Sequence, residues 1–285
     1  MSPWREKIQI LSEFWLKILG MVFMTLDHVG IFLISYSFVL PGTICRAFGR
    51  LAFPLFAFML AEGMRHTRNR WKYLLRIGTM CFLMIGVEAI LLYGFHMYDV
   101  NQGNPFTDLL LAGLTLAFLQ FEDWKKAFAI LPASVFVLSY LSYLGYFLPG
   151  WPAFLQTSYS LYGLALILAF YYVPTLMLKL VGPSLQSAGI SEEAFVETKN
   201  YRALCNVGAA LALFLVCLGA WGLSYINLDV IGASFQAWAM FAGIVLLFYN
   251  GKRGYNALWW RIFNYLYFPV HIIGIFGIFY LIFLA

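Results

Sequence analysis

The sequence predicts an all-α fold, a polytopic integral membrane bundle of about nine to ten transmembrane helices. Three observations carry that prediction. The chain of 285 residues is 62% hydrophobic and 11% charged, with a mean hydropathy of +0.80, whereas a soluble domain carries about 25% charged residues. Its apolar residues fall into runs of membrane-crossing length. Its Lys and Arg residues concentrate in alternate loops. At this length one membrane domain, 1–285, fills the chain and leaves no room for a soluble one.

The apolar runs place spans at about 14–36, 47–64, 73–93, 105–120, 127–148, 158–178, 203–223, 235–250 and 259–284. The fourth and eighth are short, which fits tilt or partial immersion. The mixed-charge start, Met1–Glu13, has no short apolar region with a small-residue cleavage site, so the expectation is insertion through the first span rather than a removable signal. Sixteen of the 18 Lys and Arg residues fall on one side of this nine-span layout. They are Arg5, Lys7 and Lys17; Arg65, Arg68, Arg70, Lys72 and Arg76; Lys125 and Lys126; Lys179, Lys199 and Arg202; and Lys252, Arg253 and Arg261. The opposite loops, about 94–104, 149–157 and 224–234, have none. The positive-inside rule then predicts a multi-pass protein with a cytoplasmic N-terminus and the C-terminus on the far side.

Ionisable groups inside such spans cost roughly 2.5–3.5 kcal/mol each on insertion scales, so each is a candidate functional residue. The first span carries Asp27 and His28 a little past its middle. Lys17, Met21, Thr25 and His28 share one helical face. Adjacent helical residues point about 100° apart, so Asp27 is expected to pair with an arginine rather than with His28. A Pro41-Gly42 turn is expected next. Arg46 and Arg50 would then stand at the far-side start of the second span, one helical turn apart, against the charge rule. They read either as interface snorkelling or as an anion or oxyanion site, since a guanidinium is the fork-shaped donor for phosphate and carboxylate. Glu62, Arg65 and His66 are within i,i+3 and i,i+4 reach, as a site or as a solvated helix end.

Further along, Glu88 lies in the third span. Asn101, Asn104 and Asp108 lie around Pro105, which opens the fourth span, and read either as the lining of an outward-facing mouth or simply as polar loop residues. Tyr140, Tyr143, Tyr146, Trp151, Tyr159 and Tyr162 form an interfacial aromatic belt. Residues 179–202 read as the one long polar loop. Asn250-Gly251-Lys252-Arg253-Gly254 is a basic turn whose glycines allow backbone N–H groups to approach a phosphate, or simply a turn with topology charges. Pro269 and His271 sit near the middle of the last span, where proline often marks a functional kink. Cys45, Cys81, Cys205 and Cys217 are scattered and read as small apolar fillers. No Gly-rich nucleotide loop, H-E-x-x-H or G-x-S-x-G occurs, and no metal is expected. A site from Asp27, His28 and His271 is conceivable, but nothing in the spacing favours it.

These landmarks resemble the TraX family of bacterial inner-membrane proteins, whose name-giving member N-acetylates an F-type conjugative pilin. The matching residues are Leu16-Lys17-Ile18, Asp27-His28-Val29-Gly30, Arg46, and Gly49-Arg50-Leu51-Ala52-Phe53-Pro54-Leu55-Phe56-Ala57-Phe58. Glu62-Gly63, His66-Thr67-Arg68-Asn69, Tyr73-Leu74 and Arg76 follow, then Asn104-Pro105-Phe106-Thr107 and Tyr162-Gly163. Tyr249-Asn250-Gly251-Lys252-Arg253-Gly254 and Phe268-Pro269-Val270-His271 complete the likeness, which is most specific over the first 76 residues. The 179–202 segment looks longer than is usual in the family.

The resemblance extends to the wider transmembrane acyltransferases, including polysaccharide O-acetylases and heparan-glucosaminide acetyltransferase. It implies acetyl-CoA as a cytosolic donor and transfer to an amine or hydroxyl of a pilin-like N-terminus or a glycan. In that reading His28 is the general base and Asp27, Arg46 and Arg50 complete the catalytic group. Arg68, Arg70, Lys252 and Arg253 hold the CoA phosphates. Glu62, His66 and His271 are further candidates. Direct transfer and an acetyl-histidine intermediate stay open. The partners are the lipid bilayer, acetyl-CoA and the acceptor. No nucleic acid is expected, and association of identical copies stays open. The rival from another class is a proton-coupled transporter using Asp27, Glu62, Glu88 and the histidines, although the two halves show no repeat. A third reading is a structural protein assisting an assembly.

Overall fold

A computed structural model describes residues 9–95, 104–145, 155–228 and 233–283. Seven helical segments among them are long and apolar enough to cross a membrane: Glu13–Ser35, Val39–His66, Arg70–Ile90, Trp124–Tyr143, Ser160–Ser187, Lys199–Ser224 and Leu258–Phe279. Two shorter apolar helices, Pro105–Leu119 and Ala237–Leu247, are the fourth and eighth runs of the sequence. The chain is a multi-pass, all-helical membrane protein. An isolated parallel bridge between Leu11 and Tyr249 is the one β feature among the described residues. Residues Arg5, Lys7, Asn101, Tyr146 and Trp151 lie outside them.

The helices in chain order are α1 (Glu13–Ser35), α2 (Val39–Gly49), α3 (Ala52–His66), α4 (Arg70–Phe95), α5 (Pro105–Leu119), α6 (Ile130–Tyr143), α7 (Ser160–Ser187), α8 (Glu192–Val196), α9 (Lys199–Ser224), α10 (Ala233–Gln236), α11 (Ala242–Leu247) and α12 (Leu258–Phe283). They divide into two compact units. The first takes the described residues up to Phe56, Tyr172–Cys217 and those from Phe235 onward. The second takes those within Ala57–Tyr171 and Leu218–Ser234.

In the first unit α1 and α2 form a tight hairpin. The chain reverses at Tyr36–Phe38, with Ser37 at φ 70°, rather than at Pro41-Gly42. Pro41 falls in the first turn of α2, where a missing N–H costs little because that donor has no helical acceptor. Gly42 instead lets two backbones meet. A Cβ on Gly30 would stand 2.6 Å from the Gly42 carbonyl oxygen, and one on Gly42 would stand 2.8 Å from that of Gly30. A Cβ on Gly49 would collide with the backbone of Asp27. Small residues at this seam let membrane helices approach backbone to backbone.

The same hairpin corrects the placement of the two arginines. Arg46 lies in the last turn of α2 and Arg50 caps it, so both stand within the Val39–His66 span rather than at its far-side start. The helix breaks at Arg50 and Leu51 and resumes as α3.

The basic turn has a structural use. Glu13 N–H donates to the Lys252 carbonyl (2.8 Å) and Phe14 N–H to that of Arg253 (3.1 Å). The turn thereby satisfies two of the donors that a helix N-terminus leaves open. Gly251 and Gly254 adopt φ 73° and 69°, the left-handed region that favours glycine. Asn250 Oδ1 accepts the Lys252 N–H at 2.9 Å, so that amide is already engaged. Asn206 ties α9 to the same segment through Nδ2 to the Tyr249 carbonyl, 2.7 Å.

The 179–202 segment is mostly helical, not a long loop. The α7 helix runs on to Ser187 with Pro174 and Pro183 inside it, and α8 and the start of α9 fill the remainder.

In the second unit Asp108, fully buried on α5, accepts the N–H groups of Ser158 (2.7 Å) and Tyr159 (3.1 Å) just before α7. Asn104 caps α5 by accepting the Phe106 N–H at 2.9 Å. The expected polar mouth thus contains, at Asn104 and Asp108, groups that hold backbone rather than line an opening. Tyr140 and Tyr143 donate to the carbonyls of Leu228 and Thr157 at 2.7 and 3.2 Å. Cys45, Cys81, Cys205 and Cys217 form no disulfide among the described residues, and three of them are buried. Cys81 Sγ meets the Thr107 hydroxyl at 3.4 Å.

Candidate functional site

The first unit gathers two adjoining groups around the middle of α1. The first is built on Asp27. Both of its carboxylate oxygens accept from Arg50 Nη2, and Arg46 Nε lies 3.6 Å from Oδ1. The expected acid–arginine pairing is therefore what forms, and neither guanidinium needs to snorkel to find a counter-charge. The side chains of Arg50 and Asp27 are only 11% and 15% exposed. One carboxylate between two guanidiniums leaves one positive charge in excess. A site of that sign in a low-dielectric span attracts an anion or a developing oxyanion.

Two residues from the eighth run complete this group. Gln236, 2% exposed, accepts from Arg50 Nη1 through Oε1 at 3.3 Å. The ring of Phe235 lies under both guanidinium groups, 5.4 Å from Arg46 and 5.6 Å from Arg50, a cation–π distance. Gln236 Nε2 and Arg46 Nε are buried without a hydrogen-bond partner among the described residues. Sequence reasoning missed Phe235 and Gln236. The available signal was a primary amide inside an apolar run, which calls for a polar partner in the membrane.

The second group is built on His28. Its Nδ1 lies 2.9 Å from the Met24 carbonyl, one turn back on α1, and 3.3 Å from Nε2 of His271 on α12. The two imidazoles meet edge to face, with centroids 4.9 Å apart. His271 is buried, and its Nδ1 lies 3.0 Å from the Tyr267 carbonyl. The Tyr267 ring stacks on His271 with centroids at 5.2 Å and planes 5° apart, and its hydroxyl meets that of Thr25 at 2.6 Å. The face shared by Thr25 and His28 is thus the face that docks on α12. Pro269 lies inside α12, two residues before His271. Among the described residues no three His, Cys, Asp or Glu side chains cluster as metal ligands would.

The remaining candidates lie elsewhere. Glu62, Arg65 and His66 sit in the second unit at the end of α3. There Glu62 pairs with Arg65 at 3.4 Å and with His66 at 3.7 Å. The His66 side chain is 59% exposed, which suits a solvated helix end. Arg68 is exposed in the same unit. Arg70 donates to Gln120 Oε1 at 3.1 Å and lies 4.5 Å from the Phe121 ring centroid. Lys252 and Arg253 are exposed on the basic turn of the first unit.

The sequence profile of the family described as TraX protein matches residues 12–196. The chain belongs to the TraX family. The matched segment holds Asp27, His28, Arg46, Arg50, Glu62, His66, Arg68 and Arg70, whereas Gln236, Lys252, Arg253 and His271 follow it. This TraX-family chain is also similar to the probable fimbrial assembly protein FimC, serogroup H1, of Dichelobacter nodosus, at 33% identity over 116 residues. That likeness covers 37% of the chain and 45% of the relative, less than half of the relative's length. No solved structure matches.

Proposed function

We propose that this protein is a membrane-embedded acetyltransferase that moves an acetyl group from cytosolic acetyl-CoA to an amine or hydroxyl acceptor. One observation carries the proposal. A histidine in a membrane span, its Nδ1 turned to a backbone carbonyl, shares a compact unit with two guanidiniums of the next helix, and the carboxylate between them is its own neighbour on α1. A base beside donors suited to an oxyanion is the minimal equipment for acyl transfer.

In this reading the acceptor nitrogen or oxygen attacks the thioester carbonyl carbon while His28 Nε2 takes the acceptor's proton. The carbonyl π pair moves onto oxygen, and Arg46 stabilises the resulting oxyanion with Gln236 Nε2 beside it. Collapse re-forms the carbonyl and expels the CoA sulfur, which takes the proton back from His28. The products are the acetylated acceptor and free CoA. Asp27 holds Arg50, and through it the site, rather than exchanging protons. Arg68 and Arg70 in the second unit, and Lys252 and Arg253 in the first, are the cationic groups proposed for the CoA phosphates. No metal is assigned to the reaction.

The relatives support one acceptor class over another. The family and the FimC likeness favour a pilin or fimbrial subunit, with a surface glycan as the second candidate. The positive loops favour the cytoplasmic membrane with the N-terminus inside. The fold is proposed to act as one catalytic domain.

The deciding experiment uses the purified protein in detergent with acetyl-CoA and a pilin N-terminal peptide. Free thiol and acetyl-peptide should appear together. His28→Ala should reduce both by about 10²–10⁴-fold, the usual contribution of a positioned general base. Unchanged turnover in that variant, or no saturable CoA binding by the wild type, would overturn the assignment. Proton-coupled substrate uptake in vesicles, indifferent to CoA, would point to a transporter instead.

A further inference from the structure

We infer that His271 is a positioning residue that, together with the Met24 carbonyl, holds His28 in the tautomer with its proton on Nδ1, a neutral counterpart of the carboxylate that commonly orients a catalytic histidine. The role assigned to His28 rests on the acetyltransferase reading; the tautomer itself does not.

The argument starts from four atoms. His271 Nδ1 lies 3.0 Å from the Tyr267 carbonyl oxygen. A carbonyl oxygen only accepts, so this nitrogen carries the proton. A neutral imidazole then has its lone pair on Nε2. That lone pair lies 3.3 Å from His28 Nδ1, which is itself 2.9 Å from the Met24 carbonyl. Both neighbours of His28 Nδ1 are acceptors, so His28 is also protonated at Nδ1. Its lone pair is therefore on Nε2, the atom left to take a proton from an acceptor. The opposite assignment would set lone pair against lone pair at Met24 and again at Tyr267.

The partner is a histidine rather than an acid because of where the acid already is. Asp27, adjacent in sequence, gives both oxygens to Arg50. A second carboxylate buried beside His28 would add an unpaired charge to the span, which a neutral imidazole avoids. When His28 gains a proton on Nε2, its Nδ1–H becomes a stronger donor, and His271 Nε2 is the nitrogen acceptor beside it. His271 is held for that task by the parallel ring of Tyr267, which is pinned in turn through its hydroxyl to Thr25 on α1.

The test reads the tautomer and the reaction separately, on the full chain. The sequence has four histidines, so nitrogen-15 labelling of histidine in lipid bilayers gives a countable set of ring signals. His28→Gln and His271→Gln variants assign the pair. The expected spectrum has His28 and His271 both protonated at Nδ1, with a His28 Nδ1–His271 Nε2 correlation. A His28 ring protonated at Nε2 overturns the inference whether or not the protein transfers acetyl groups. In the transfer assay, His271→Phe keeps the ring stacking but removes the acceptor. It should lower kcat by about 10- to 100-fold, within the worth of a positioned base, with the KM for acetyl-CoA unchanged. His271→Gln, whose Oε1 can accept from His28 Nδ1, should recover most of that loss. Equal activity of the Phe variant and the wild type, or equal loss in the Phe and Gln variants, refutes the positioning role even where His28→Ala abolishes transfer. A wild type without transfer would refute the acetyltransferase reading and leave the tautomer to be decided by the spectrum.

Discussion

Among the described residues two acid–histidine pairs lie close in sequence, and they behave oppositely. Asp27 and His28 are neighbours in sequence, and the acid goes to Arg50 and Arg46 while the histidine turns to Met24 and His271. Glu62 and His66 are four residues apart, and they meet at 3.7 Å. The helix explains the contrast, since side chains four apart share a face and adjacent ones do not. Environment sharpens it. The two acids are buried alike, Asp27 15% and Glu62 12% exposed, but their partners are not, Arg50 being 11% and His66 59% exposed. A buried charge must find a dedicated partner, whereas an exposed partner contributes little because water competes for it.

The largest stability effect should come from breaking the first pair. Asp27→Ala leaves two guanidiniums without their carboxylate, and breaking a buried pair typically costs about 3–5 kcal/mol. The thermal unfolding midpoint in detergent should fall accordingly, with partial recovery in the Asp27→Asn, Arg50→Gln double variant. A melt like that of the wild type would mean that the Asp27 group contributes as little as the exposed His66.

A smaller effect is expected at Asp108, a buried acid whose partners are amides rather than arginines. Asp108→Ala strands the N–H groups of Ser158 and Tyr159, at about 1–3 kcal/mol for each unsatisfied donor. Turnover per folded molecule should stay within a factor of about two, since the change is confined to the second unit and touches none of the reacting groups. A selective loss of kcat at full stability would give Asp108 a chemical role.

The smallest effect belongs to His66. Its replacement by Gln should move stability by less than about 0.5 kcal/mol, as for most surface substitutions. Acetyl-transfer activity should be unchanged. A tenfold loss would erase the distinction between the two pairs and move the second one into the site.

Much of this was legible in the sequence because it depends on local composition and spacing. Mean hydropathy determined a helical membrane bundle, because a backbone in hydrocarbon must satisfy its own hydrogen bonds. The 100° step of the helix determined that Asp27 would seek an arginine before His28. The short fourth and eighth runs were likewise visible as short. Other features depended on which surfaces meet. The hairpin seam of Gly30, Gly42 and Gly49 moved Arg46 and Arg50 from a presumed loop edge into a span, and Pro41 read as a turn because proline opens helices as readily as it ends them. The pairing of His28 with His271, 243 residues apart, and the placing of Gln236 and Phe235 beside Arg50, were decided only by tertiary packing. Periodicity says which face of a helix is polar, but not which distant helix will supply the partner that a buried polar group requires.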